Sequence, residues 1–161
     1  MDLHDAIQCG CSIEYMEQLI RIHPDCLLKR RGPRGFLPLH TALDCIRSPT
    51  EAVEVVQMIL CYDSAAAERR SSDGQLPLHV AAQTNLIGAS HMLLDAFASA
   101  LVLSGRTMME TPLYFAIVNH NVAAVELFID HCPQCARKGC ADEEELPLHS
   151  ALKLTSSTPA K

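Results

Sequence analysis

The sequence predicts an all-α solenoid of stacked helix-turn-helix units, and three observations support this fold class. Leu-Pro-Leu-His occurs at residues 37–40, 76–79 and 146–149, and an altered copy, Thr-Pro-Leu-Tyr, occurs at 111–114. The copies begin 39, 35 and 35 residues apart, a near-constant period that is typical of stacked repeats. Apolar residues at helical spacing follow each copy. The 161 residues, 48% of them hydrophobic, suffice for units that share one continuous core.

The first unit, residues 1–36, is a degenerate copy in which Leu3 to Ile7 resembles the motif without its proline. Gly10 is suited to end this short helix in a left-handed conformation, and Ser12 is suited to cap the next helix, predicted from Ile13 to Ile20. In the second unit, residues 37–75, Pro38 begins the first helix. Ser48-Pro49-Thr50-Glu51 fits a capping box, so the second helix is predicted to begin near Pro49.

The third unit, residues 76–110, is predicted to contain helices over 77–82 and 87–94. The fourth, residues 111–145, is predicted to contain helices over 112–118 and 122–129. The expected apolar face of this last helix consists of Val122, Val125, Phe128 and Ile129. A fifth unit, residues 146–154, is incomplete, and the polar tail 155–161 is predicted to be disordered. The half unit suggests a fragment of a longer chain, with end-to-end association through this unit as an alternative to a monomer.

The connection from each second helix to the next motif runs 16 or 17 residues, which predicts an extra helical turn or a longer finger. Six residues beyond the last core residue of each second helix the chain carries a small side chain. These four positions are Cys26, Ala66, Ala100 and Cys135. Because unoxidised cysteine packs as a small hydrophobic residue, the pattern predicts one buried packing position per unit.

Leu-Pro-Leu-His-x-Ala followed by a loop and a second helix resembles the ankyrin repeat, and the resemblance covers residues 1–154. It implies an ankyrin-repeat solenoid whose stacked units carry protruding finger loops. The family pattern has Thr where this chain has Leu, and the copy that keeps Thr111 replaces His by Tyr114. The resemblance implies a Thr–His hydrogen bond that fastens the turn of each repeat, and no unit here can make it. We therefore expect the leucines to be buried and the histidines to bond to backbone groups of an adjacent hairpin. The structural motif residues are Pro38, His40, Pro77, His79, Pro112, Tyr114, Pro147 and His149.

Composition and motifs argue against several functional classes. A net charge of −6 disfavours a dedicated nucleic-acid binder, and the sequence has no apolar run near the roughly 20 residues of a membrane-spanning helix. An acidic N-terminus and eight cysteines in helix-forming surroundings predict a reduced chain in the cytoplasm or nucleus. Phosphate-binding loops and nucleophile motifs are absent from the sequence, so we predict no catalytic residue and no cofactor.

The competing chemical signal is the pair Cys132-x-x-Cys135 with Cys140 downstream, since such pairs hold zinc or carry out dithiol chemistry. A zinc-binding or redox-active protein is therefore an alternative prediction. A second alternative is a regulatory segment of a longer enzyme or channel.

The resemblance implies a noncatalytic module that binds a protein partner on its concave and finger face. The candidate residues follow a basic-to-acidic gradient along the fingers, which would orient an elongated partner and speed its encounter. They are Arg30, Arg31, Arg34, Phe36, Arg106, Met108, Met109, Phe115, Glu143 and Glu144. For Phe115, burial inside the stack is the alternative. The sequence does not identify the partner.

Overall fold

The computed structural model describes residues 1–103 and 111–137, and this part of the chain is all-α, as the sequence predicts. It contains eight α-helices in four pairs and no β-strand. The pairs are α1 (Leu3–Gln8) with α2 (Ile13–Ile22), α3 (Pro38–Cys45) with α4 (Pro49–Tyr62), α5 (Pro77–Thr84) with α6 (Ile87–Ala96), and α7 (Pro112–Val118) with α8 (Val122–His131). None of these described helices combines the length and the apolar character that a bilayer crossing requires.

The helices pack in two layers. The first helices of successive pairs contact one another in the order α1, α3, α5, α7, and the second helices contact in the order α2, α4, α6, α8. The two helices of each pair also contact each other. One cluster of buried apolar side chains extends from Leu3 to Cys135. Each pair is therefore stabilised mainly by its neighbours along the chain, as expected for a repeated unit.

Local sequence signals set the helix starts. Pro38, Pro49, Pro77 and Pro112 all stand in the first turn of a helix, where a missing N–H removes no hydrogen bond. The Ser12 hydroxyl accepts from the Tyr15 N–H at 3.4 Å, as predicted for an N-cap. Ser48 caps α4 in the same way, through the Glu51 N–H at 3.5 Å. Gly10 adopts the predicted left-handed conformation, with φ of +65°.

Each second helix is followed by a five-residue 3₁₀ helix, which confirms the predicted extra helical turn. These 3₁₀ helices are Pro24–Leu28, Ser64–Glu68, Ala98–Val102 and Pro133–Arg137. The third residue of each 3₁₀ helix is the small residue that recurs six positions after the core of the second helix. All four of these residues, Cys26, Ala66, Ala100 and Cys135, are buried as predicted. A small side chain is required there because the turn packs directly against the helical layers.

Of the two described histidines of the Leu-Pro-Leu-His motif, His40 bonds to the next hairpin and His79 bonds to the start of its own motif. His40 bonds through Nε2 to the carbonyl of Gln75 at 3.0 Å, as expected for a contact with the next hairpin. His79 accepts a hydrogen bond through Nδ1 from the Leu76 N–H at 3.1 Å. Leu37 and Leu76 are buried, as predicted for leucines in the place of threonine.

The degenerate first unit uses its histidine in a way that the sequence did not reveal. The ring of His4 lies 2.8 Å from the Thr41 hydroxyl through Nδ1 and 2.9 Å from the Lys29 carbonyl through Nε2. Thr41 belongs to the next unit and is itself buried. A threonine–histidine hydrogen bond is therefore present between units rather than within one motif.

The predicted apolar face of α8 is wrong in part. Val122 and Ile129 are 66% and 39% exposed, whereas the buried side consists of Ala124, Leu127 and Phe128. These three residues follow the i, i+3, i+4 spacing of a single helix face. Hydrophobicity alone favoured Val122 and Ile129, but the contacts of α8 with α6 and α7 select the other face.

Two finger loops precede the second and third motifs: the first finger is residues 29–36 and the second finger is residues 69–75. In the first finger, Arg31 and Phe36 exchange both backbone hydrogen bonds, at 2.8 and 2.9 Å, around a turn that contains Gly32 and Gly35. The Ser72 N–H donates to the Arg34 carbonyl at 2.9 Å. The two fingers are thus joined side by side.

Of the two glycines in the first finger, Gly35 is expected to tolerate an added side chain less well than Gly32. Its φ is +57°, and an added Cβ would stand 2.6 Å from Ser72 Cβ and 3.2 Å from Ser72 N. Gly35→Ala should therefore combine left-handed backbone strain of about 1–2 kcal/mol with displacement of the second finger. The free energy of unfolding from urea titration measures the sum.

Gly32 provides a matched control for Gly35. It has a φ of +71° and nothing within 4 Å of an added Cβ, so Gly32→Ala should show the backbone strain alone. Ser72→Gly in the Gly35→Ala background should recover the difference between the two variants. Equal destabilisation by Gly32→Ala and Gly35→Ala would contradict the finger-to-finger contact.

Candidate functional site

A groove of about 380 Å³ lies where the first finger meets helices α1 and α3, and we call it the first groove. Its walls combine polar and apolar side chains from these elements. They are Gln8, Arg31, Gly32, Pro33, Arg34, Phe36, Thr41, Asp44 and Cys45. Three of the predicted partner-binding residues, Arg31, Arg34 and Phe36, are therefore brought together.

Arg34 is held over an aromatic stack at the wall of this groove. Its guanidinium carbon lies 5.5 Å from the centre of the Phe36 ring, within cation–π range. The Phe36 ring stacks on His40, with 5.5 Å between ring centres and 19° between planes. Phe36 is only 8% exposed and His40 is fully buried, while Arg34 is exposed. Phe36 thus acts mainly as a platform that orients Arg34 rather than as a projecting anchor.

Arg31 ties the first finger to the start of α1. Its guanidinium forms ion pairs with Asp2, at 3.3 Å, and with Asp5. The hydrogen bond from Arg31 lowers the pKa of the Asp5 carboxylate. The Asp2 backbone N–H also donates to this carboxylate and lowers its pKa further. Two carboxylates therefore balance the charge of Arg31, so Arg34 is the groove cation with the greater capacity to attract an acidic group.

Arg30 is separated from this surface, although the sequence grouped it with Arg31 and Arg34. Its guanidinium donates to the Gly35 carbonyl at 3.1 Å, which braces the first finger from within. Arg30 does not line the first groove. Consecutive side chains of an extended segment point to opposite sides, and this alternation explains why residues 30 and 31 contribute to different surfaces.

His40, on which the Phe36 ring stacks, has a pKa well below its ordinary value. Burial lowers its pKa from 6.5 to about 4, and the bond to the Gln75 carbonyl only partly opposes this shift. Asp73 also raises the pKa slightly, while Arg30 and His4 lower it. The ring is therefore neutral at pH 7 and serves as a packing and hydrogen-bonding group.

No protein-family model matches the chain, and no curated protein matches it.

Phe115 lies in the packing between the third and fourth units, away from the residues of the first groove. Its ring contacts His79 edge-on, with 6.0 Å between centres, and Tyr114, with 5.9 Å between centres. It is partly buried, as the alternative prediction proposed. Seven further predicted residues lie outside the described residues: Arg106, Met108, Met109, Glu143, Glu144, Pro147 and His149.

The cysteine pair shows the properties of packing residues. Cys135 is fully buried, and its thiol donates to the Phe128 carbonyl at 3.6 Å. Burial raises the pKa of Cys135 to about 11, which disfavours the thiolate that metal binding or redox attack requires. Cys132 is half-buried, and Cys140 lies outside the described residues. Within 1–103 and 111–137, no group of three or more His, Cys, Asp or Glu side chains is placed to hold a metal ion.

Proposed function

We propose that this chain is a noncatalytic protein-interaction module built as an ankyrin-type solenoid. The repeated order of helix, helix, 3₁₀ helix and finger supports the architecture, together with the two parallel rows of helix contacts. A rigid array of this kind presents its fingers and first helices as one extended surface. The proposal assigns no catalytic residue and no cofactor.

The observation that carries the proposal is the placement of Arg34. Its exposed guanidinium is held against Phe36 beside a groove of about 380 Å³, and Phe36 is in turn fixed by stacking on buried His40. Arginine is enriched in interface centres and among residues that dominate binding energy. Because the guanidinium is already oriented, less side-chain entropy is lost when a partner binds.

The chemistry of the first groove favours a partner segment with an acceptor for Arg34. A carboxylate or backbone carbonyl of the partner would pair with the guanidinium of Arg34, which the buried Phe36 ring supports from below. Asp44, on the same wall, would disfavour a second acidic group nearby. A partner segment with one acidic residue meets these conditions.

The experiment selects binders from a displayed library of protein fragments and measures their affinity for purified variants. Arg34→Ala should weaken a groove-directed binder about tenfold, because the central charged contact is lost. Arg47→Ala removes an exposed arginine from the α3–α4 loop and serves as the matched control, with an expected change below about twofold. Selected binders that all tolerate Arg34→Ala would contradict the proposed site.

A zinc or redox function is not favoured, because Cys135 is buried, protonated and bonded to backbone. The cysteine also occupies the packing position that Cys26, Ala66 and Ala100 occupy in the other 3₁₀ helices.

A further inference from the structure

A second groove of about 770 Å³ lies between the bases of the two fingers and shares no lining residue with the first groove. It combines three arginines with two leucines and a single acid. These residues are Leu28, Arg30, Leu37, Glu68, Arg69 and Arg70. When Asp63, which pairs with Arg69, is counted with Glu68, the three arginines still leave an excess of one positive charge, although the chain as a whole carries a net charge of −6. Such a local reversal of sign marks a place where anionic groups concentrate.

The guanidinium groups of this groove are held in place by the chain itself. Arg30 donates to the Gly35 carbonyl and Arg70 donates to the Gly74 carbonyl, so each spans its own finger. Arg69 is paired with Asp63, whose side chain is largely buried. A guanidinium carries five N–H donors, and the bond of Arg30 to Gly35 uses one of them. Fixed donors of this kind bind oxyanions with little additional ordering.

An apolar surface adjoins the arginines. Leu28 ends the first 3₁₀ helix and is 54% exposed, although its neighbour Leu27 is buried. The groove therefore offers charge-assisted hydrogen bonds and an apolar contact within one space. This combination suits a peptide in which an anionic side chain is followed by an apolar one.

We propose that the second groove is a separate binding site for an acidic peptide segment. An oxyanion of the peptide, a carboxylate or a phosphate, is held by Arg30 and Arg70, and an apolar side chain lies on Leu28. Glu68 limits the affinity for anions because it places a like charge at the same wall. This site does not depend on the proposed role of Arg34 in the first groove.

The test measures fluorescence anisotropy of three labelled peptides of equal length with the full chain. The first alternates Glu and Leu, the second replaces each Glu by Gln, and the third carries a single phosphoserine among Gln and Leu. Saturable binding of the acidic or phosphorylated peptide, at least tenfold tighter than that of the Gln peptide, is expected. Binding of the Glu peptide identifies the oxyanion as a carboxylate, and binding of the phosphoserine peptide identifies it as a phosphate.

Variants then assign the binding to the second groove. Arg30→Gln should weaken binding of the anionic peptide about tenfold, while Arg34→Gln and Arg47→Gln should change it less than about threefold. Glu68→Gln should strengthen binding several-fold, and this result does not depend on Arg30→Gln leaving the first finger intact. Hydrogen exchange of the variants reports whether the fingers remain folded.

Three results would overturn the site. The first is the absence of saturable binding by both anionic peptides. The second is an equal loss of affinity in Arg30→Gln, Arg34→Gln and Arg47→Gln together with no effect of Glu68→Gln, which would indicate a general charge effect. The third is a loss of binding in Arg34→Gln alone, which would assign the peptide to the first groove.

Discussion

Phe128→Ala is expected to destabilise the α7–α8 pair by about 3–5 kcal/mol. Phe128 has the largest fully buried side chain among the described residues. It lies on the face of α8 that packs on α6 and α7. Truncation to alanine removes the apolar contacts of the ring and leaves a cavity that close-packed neighbours fill only partly. Urea unfolding of the two chains compares their stabilities.

Val122→Ala is the matched control for Phe128→Ala in the same helix. Val122 is 66% exposed, so its truncation should change the stability by less than about 0.5 kcal/mol. Hydrogen exchange should locate the effect of Phe128→Ala in α7 and α8, while α1 and α3 keep their protection, because units contact mainly their neighbours. Equal loss of protection in all four helices would show that the array unfolds as one unit.

The second large effect is a loss of stability on acidification through His40. The folded-state pKa of His40 is about 4, below the value of 6.5 for an unperturbed histidine, because the ring is buried. Below pH 6.5 the unfolded chain therefore takes up a proton that the folded chain excludes until about pH 4. At 1.36 kcal/mol per pKa unit, His40 should contribute a loss on the order of 3 kcal/mol between these two pH values.

His40→Gln separates this contribution from that of the carboxylates. The variant should be less stable at pH 7.5, since the stack with Phe36 is lost, and its stability should fall less steeply between pH 6.5 and pH 4. Ala42→Gly, at a buried neighbouring position of α3, destabilises without changing a titrating group and should keep the wild-type slope. Identical slopes for wild type and His40→Gln would contradict the buried, neutral histidine.

Local chemistry made the helices predictable. Proline in the first turn, serine at the N-cap and glycine in the left-handed region act on their own segment, so α3, α4, α5 and α7 begin where the sequence indicated. The length of the connections, 16 or 17 residues, predicted an extra helical turn or a longer finger after each second helix. A small residue recurred at one register position of these connections, and the repetition predicted that this position is packed.

The surfaces were less predictable because they depend on contacts between units. The exposed side of α8 is determined by α6 and α7, and hydrophobicity alone selected Val122 and Ile129 wrongly. Arg30 and Arg31 line different grooves because the first finger forms a hairpin, and the sequence did not specify this conformation. Likewise, the bond between His4 and Thr41 joins residues 37 positions apart, and neither residue signals its partner locally.

Because the side chains of Arg30 and Arg31 point to opposite sides of the first finger, the length of this finger affects which groove each arginine lines. The first finger has eight residues, 29–36, and the second finger has seven, 69–75. Arg30 and Arg70 nevertheless both span their fingers to a glycine carbonyl, because the difference in length lies within the turn. Inserting one residue between Arg30 and Arg31 would instead reverse the side to which Arg30 points, while the backbone pair of Arg31 and Phe36 stays in place. The position of an insertion within this finger therefore decides which groove receives the charge of Arg30, without any change of side chain.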